Sequence, residues 1–152
     1  MTTSRNLSIW GEYAGTVNAP VASVPNVGET TTVSATAATG TINYDVITQS
    51  VLFYTTNASG NWTLNIRGSG TVSLNSFMTT GQSISIAFLV TQGASAFYNS
   101  AVQIDTTSVT PQWQGGTAPT AGNASGVDIY TYTIVKTASA TYSVFASQTQ
   151  FK

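Results

Sequence analysis

Apolar and polar residues alternate with a period of two along most of the chain after residue 30, the spacing of pleated strands. In Ser83–Thr91, Ile84, Ile86, Phe88 and Val90 share one face. Fully burying each contributes roughly 1.5–3 kcal/mol, so this segment is expected to be a core strand by energy as well as by pattern. Ile42, Tyr44 and Val46 alternate with polar residues, and residues 51–54 form a short apolar run. Trp62, Leu64 and Ile66 then alternate with Thr63, Asn65 and Arg67. The intervening residues 57–61 read NASGN, and Gly60 and Asn61 tolerate positive φ, so a hairpin is expected here. Residues 74–81 carry apolar positions three and four apart and end in Gly81, which predicts one helical turn and no other helix. Residues 127–136 set Tyr130, Tyr132 and Ile134 against Ile129 and Val135, and residues 140–147 set Tyr142 and Val144 against Thr141, Ser143 and Phe145. About seven to nine strands of this kind predict an all-β fold, a single β-sandwich. With no Cys–Trp–Cys pattern, a jelly roll is the better match than an immunoglobulin fold.

The first 30 residues break the pattern. Ile9, Trp10, Tyr13, Val17, Val21, Val24 and Val27 are irregularly spaced and interrupted by Pro20, Pro25 and several glycines. Proline removes ladder donors and pushes the preceding residue toward extended conformations. Residues 1–30 are therefore expected to be an extended arm and residues 31–152 the sandwich. The arm's apolar residues need a surface, and Trp10, Tyr13, Val17 and Val21 are its candidate contacts with another subunit.

Composition narrows the chemistry. Histidine and cysteine are both absent, which removes the usual general base, thiolate nucleophiles, disulfides and the commonest ligands of zinc, copper and iron. Only 6% of residues are charged, against about 25% in typical soluble domains. They are scattered singly, so no basic stripe is available to nucleic acid. A net charge of −1 gives little self-repulsion and favours association, as suits a subunit whose surface is occupied in an assembly. The longest apolar run, residues 86–90, is too short for membrane insertion, and MTTSRNLSIWG has no apolar core of a signal peptide. Sequons at Asn6, Asn57, Asn61 and Asn123 are expected by chance in a chain this rich in Asn, Ser and Thr.

Three carboxylates invite a catalytic or calcium-binding reading: Asp45, Asp105 and Asp128. They stand far apart in sequence, each in a strand or turn context where Asp ordinarily bonds nearby amides, and no calcium-loop pattern is present. Arg67-Gly-Ser-Gly70 precedes a strand-like segment, not a helix whose N-terminus could hold an anion, so these glycines read as turn residues. No metal and no cofactor is expected. Trp113 is the other candidate. It sits in TPQWQGGTAPTAG, a loop too long to hold itself without an anchor. A tryptophan buries 150–250 Å² and offers one N–H, which suits an anchor. The competing reading makes it a platform for a sugar ring, but no second aromatic lies beside it. The anchor is preferred.

Several stretches carry a resemblance: Trp62-Thr-Leu-Asn-Ile-Arg-Gly, then Leu74-Asn-Ser-Phe-Met-Thr-Thr-Gly-Gln-Ser-Ile, then Phe88-Leu-Val-Thr-Gln-Gly. Trp113-Gln-Gly-Gly-Thr-Ala-Pro and Asp128-Ile-Tyr-Thr-Tyr-Thr-Ile continue it. Over residues 60–152 the chain resembles a domain recurring in virion structural proteins of tailed phages, notably those of marine cyanobacteria. The resemblance implies a non-enzymatic β domain on the virion exterior, with no catalytic residues. It implies as partners other virion proteins and the chain itself, as a homo-oligomer such as a trimer, assembled in the bacterial host cytoplasm. An arm without a long shaft fits a head decoration or cement subunit, or a small tail or fibre component. The alternative is a carbohydrate-binding or host-receptor-binding module of a tail fibre, with a host surface glycan as partner.

Overall fold

The computed structural model describes residues 28–152, which form ten strands in two sheets. Sheet A has the order β1(Thr31–Ala37), β3(Val51–Thr56), β5(Ser83–Thr91), β9(Val127–Ala138), β10(Thr141–Phe151), β8(Gln112–Trp113). Sheet B has the order β2(Gly40–Asp45), β4(Trp62–Arg67), β6(Asn99–Ile104), β7(Thr107–Val109). The helical turn expected at residues 74–81 is α1(Leu74–Phe77), and a second, 3-10 turn spans Gln114–Gly116.

From β1 to β6 each strand passes to the opposite sheet, and every second strand pairs in parallel with the one before it. The result is three turns of a two-sheet coil, closed by antiparallel pairing of β7 on β6, of β9 on β5 and of β10 on β9. The all-β, two-sheet expectation holds, but the jelly-roll connectivity does not. A jelly roll is antiparallel, whereas five of the eight ladders here are parallel.

The expected hairpin over residues 51–66 is corrected in the same way. β3 and β4 lie in different sheets and face each other across the core. Residues 57–61 form an arch whose amides bond to neighbouring turns of the coil: Ala58 N–H donates to Thr91 O at 2.9 Å and Ser59 N–H to Ala38 O at 3.0 Å. The turn residues were read correctly as a bend; its direction, out of the sheet rather than within it, was not.

Aromatic rings hold the sheets together. Trp62 of β4 meets Phe88 of β5 at 6.0 Å and Tyr130 of β9 at 5.5 Å, both nearly perpendicular. Tyr54 meets Phe88 edge-on at 5.2 Å. Such pairs add about 0.5–1.5 kcal/mol each beyond their buried area. Tyr44 crosses from sheet B to donate its hydroxyl to Ala87 O at 3.3 Å. Phe88, fully buried, is touched from both sheets. Phe88→Ala is expected to cost about 3–5 kcal/mol through the cavity it leaves. Its urea midpoint should fall with an unchanged slope; an unchanged midpoint would place Phe88 outside the core.

Candidate interaction face and the Trp113 loop

The outward faces of the two sheets differ in chemistry. On sheet B, Thr41, Asn43 and Asp45 lie beside Thr63, Asn65 and Arg67, and Asn65 stands beside Gln103. Asn65 Nδ2 donates to Asn43 Oδ1 at 2.8 Å, its Oδ1 accepts from Thr106 N–H at 2.8 Å, and Arg67 pairs with Asp45 at 2.6 Å. This face satisfies its own polar groups.

Sheet A presents an apolar row instead. Val33, Phe53, Leu89 and Ile129 are register partners on four successive strands, ending at Thr149 on β10. Val51 and Ala87 flank the row on one side, Val127 and Phe151 on the other. Val33 is 65% and Phe151 51% exposed. Among the described residues no strand or helical turn packs across this face. The row lies mid-sheet, with Val33 exposed and Phe53, Leu89 and Ile129 half-buried, and none of the four was assigned to an interface from sequence. The signal was present. Residues 51–54 and 86–90 are continuous apolar runs, the mark of strands that bury both faces, and Ile129 is apolar opposite the core tyrosines.

Trp113 is half-buried at the edge of sheet A, where β8 pairs in parallel with β10 and places it opposite Ala146. Its ring packs on Tyr132 at 6.2 Å and 70°. The chain then turns through Gly115 (φ 78°) and Gly116 (φ 80°), a left-handed pair that glycine adopts at little cost. The ring also borders surface depressions of about 380 and 260 Å³ on either side of the loop.

The far end of the loop is held by Asp128, fully buried on the inner face of β9. Its Oδ2 accepts from Gln92 Nε2 at 2.9 Å and Asn123 N–H at 3.1 Å, while Oδ1 has no partner. Gln92 also brackets Phe97, donating to its carbonyl at 2.7 Å and accepting from its N–H at 3.0 Å. A Cβ on Gly122 would stand 2.2 Å from Phe97 O, so the loop can pass only as glycine. Burial pushes the Asp128 carboxyl above its ordinary value, opposed by its bonds to Asn123 and Gln92 and by Gln148.

Asp45, Arg67, Asp105 and Lys136 are bound into the frame. Asp105 accepts from the first amides of α1, Leu74 at 2.7 Å and Asn75 at 3.0 Å. This steadies a two-residue turn in which Asp105 and Thr106 both have positive φ (50° and 66°), costly for a β-branched threonine. Lys136, largely buried, donates to Asn75 O and to Met78 O at the end of α1. Asp45 and Asp105 end or follow strands that flank Arg67 on sheet B, while Asp128 lies on sheet A. The described residues contain no group of three or more His, Cys, Asp or Glu placed to hold a metal, and no helix long and apolar enough to cross a membrane. Trp10, Tyr13, Val17 and Val21 lie outside the described residues.

Trp113→Ala is expected to raise amide hydrogen exchange across residues 110–126 and to lower the melting temperature. Unchanged protection with an unchanged melting temperature would show that the ring anchors nothing. Asp128 generates a pH dependence. With its folded pKa above the unfolded one, the folded state binds the extra proton between the two values, so stability falls as pH rises through that window. Asp128→Asn cannot titrate. The stability of wild type minus variant, from urea midpoints across a pH series, should therefore decline upward from the ordinary carboxylate range and then level. A flat difference would mean the carboxyl is not held protonated by burial.

No family model, curated protein or solved structure matches this chain.

Proposed function

We propose that this chain is a non-enzymatic structural subunit that assembles with copies of itself and with other proteins through the outer face of sheet A and its N-terminal arm. The observation that carries this reading is the contrast between the two outer faces. Both faces pair polar side chains, Asn43 with Asn65 and Asp45 with Arg67 on sheet B, Ser85 with Thr133 and Thr131 with Ser147 on sheet A, but sheet A adds Val33, Phe53, Leu89 and Ile129 in a row across four strands. Val33 is exposed and Phe53, Leu89 and Ile129 are partly so, and apolar side chains gathered on an outer face in this way favour an interaction site. The scarcity of charge agrees: 4 basic and 5 acidic residues give little repulsion between copies. The resemblance of residues 60–152 to tailed-phage virion proteins supports a place on the particle exterior, as a head decoration or cement subunit or a small tail or fibre component. In this setting Trp113 is the anchor of its loop.

A second reading, recognition of a host surface glycan, is favoured by one observation. The Trp113 ring borders depressions lined by Gln112, Gln114 and Thr131, a flat aromatic among hydrogen-bonding side chains. A glycan array probed with the wild type and with Trp113→Ala decides it, since only a sugar platform predicts binding that the variant loses.

For the assembly reading, sedimentation of the full chain should show self-association that Val33→Thr combined with Leu89→Thr weakens at least about tenfold, which is about 1.4 kcal/mol. Both positions point outward and threonine keeps the strand preference, so the melting temperature should move little. A full chain that stays monomeric up to its solubility limit, and that labels no intact particle by specific antibody, would sink the proposal.

A further inference from the structure

We infer that the apolar row on sheet A receives the N-terminal arm of a neighbouring copy of this chain. The inference rests on the assembly reading above and names its partner and its contact surface.

Three observations fix the occupant. The first is where the described chain begins. Thr30 O accepts from Ser50 N–H at 3.0 Å and Val51 N–H at 3.2 Å, so the arm joins the sheet beside Val51, two residues from the level of Val33 and Phe53. The second is chemistry. Residues 9–27 carry Ile9, Trp10, Tyr13, Val17, Val21, Val24 and Val27 and one charge, Glu12. Among the described residues, the outer sheet face of matching character is the row on sheet A; sheet B's outer face is polar and internally bonded. The third is reach. Six strands span about 24 Å at ~4.8 Å spacing. Residues 9–27 extended cover on the order of 60 Å. The row is shorter than the extended arm, so the arm has length enough to span the gap to a second copy and still cross that copy's row. Repeated between copies, such a contact closes a ring when the rotation allows and joins subunits without requiring a large globular interface.

The chain has no cysteine, which gives a clean background for cross-linking the full-length protein. Copies carrying Ser8→Cys or Ser23→Cys in the arm are mixed with copies carrying Thr149→Cys, at the exposed end of the row. A second mixture uses Ser108→Cys on β7 of sheet B as the control. Under mild oxidation the arm–Thr149→Cys pair should form a disulfide between different copies about tenfold faster than the arm–Ser108→Cys pair, because a docked arm raises the effective concentration. Adding Leu89→Thr to the receiving copy should remove that advantage. The same samples are sedimented before oxidation. Equal rates for the two pairs, in a chain that does self-associate, would overturn the arm-on-row contact and leave assembly through another surface. A disulfide confined within one copy, in a chain carrying both Ser8→Cys and Thr149→Cys and studied at high dilution and at high concentration alike, would overturn exchange between copies. A chain that neither associates nor cross-links would overturn both this inference and the assembly reading.

Discussion

Each strand from β1 to β5 hands the chain to the opposite sheet, and the connections that make this crossing are the constraint on which the fold depends. A connection that leaves its sheet cannot satisfy its amides with its own flanking strands. It must find carbonyls on the turns of the coil above and below, as Ala58 does at Thr91 and Ser59 at Ala38. Tyr98 N–H donates to Asn61 Oδ1 at 3.1 Å and Trp62 N–H to Tyr98 O at 3.3 Å, so the third turn is keyed to the second in the same manner. Once the arches stack, the strands they launch are in register, and the side chains that face inward are decided for both sheets at once. The ring cluster of Trp62, Phe88, Tyr130 and Tyr54 then fills a space whose walls the arches have already set.

That dependence explains what could be read from the sequence. Ser83–Thr91 was legible because four apolar residues at alternate positions admit one strand and one buried face, and Tyr130, Tyr132 and Ile134 behaved likewise. Gly115 and Gly116 were legible because adjacent glycines in a tight loop are the cheapest source of positive φ. The arch at residues 57–61 was not, since Asn, Ser and Gly serve an in-plane turn and an out-of-plane arch equally well. The choice is made by carbonyls of residues 38 and 91, distant in sequence. Gln92 and Asp128 were missed as a pair for a related reason. Their contact spans 36 positions, and nothing local distinguishes a buried carboxylate that holds a loop from an exposed one that ends a turn.

The candidate interaction row leaves only fragments in the sequence. In a sandwich the second face of a central strand is expected to be polar, so Phe53 and Leu89 pass as spillover from the core runs that contain them. Only the register exposes them as one feature. Val33, Phe53, Leu89 and Ile129 come from four segments spread over some two-thirds of the chain, yet the parallel coil and the antiparallel closure bring them to one level. A one-residue slip anywhere in these ladders would scatter the row and expose the core, so the arches that protect the core also compose the face.

The same economy governs the charges. Of the charged residues described, Asp45, Arg67, Asp105 and Lys136 are bound into sheet B or α1, and Asp128 into the loop that carries Trp113. Each replaces an apolar contact at a place where backbone groups need a partner: the strained turn at residues 105–106, the end of α1, the passage of residues 118–126 beside β9. With these five bound internally and a net charge of −1 on the whole chain, the molecule has little charge to steer or repel a partner at long range. In the assembly reading, recognition falls to surfaces that act at contact distance, through shape and apolar area. On the described residues, the surface with those properties is the outer face of sheet A.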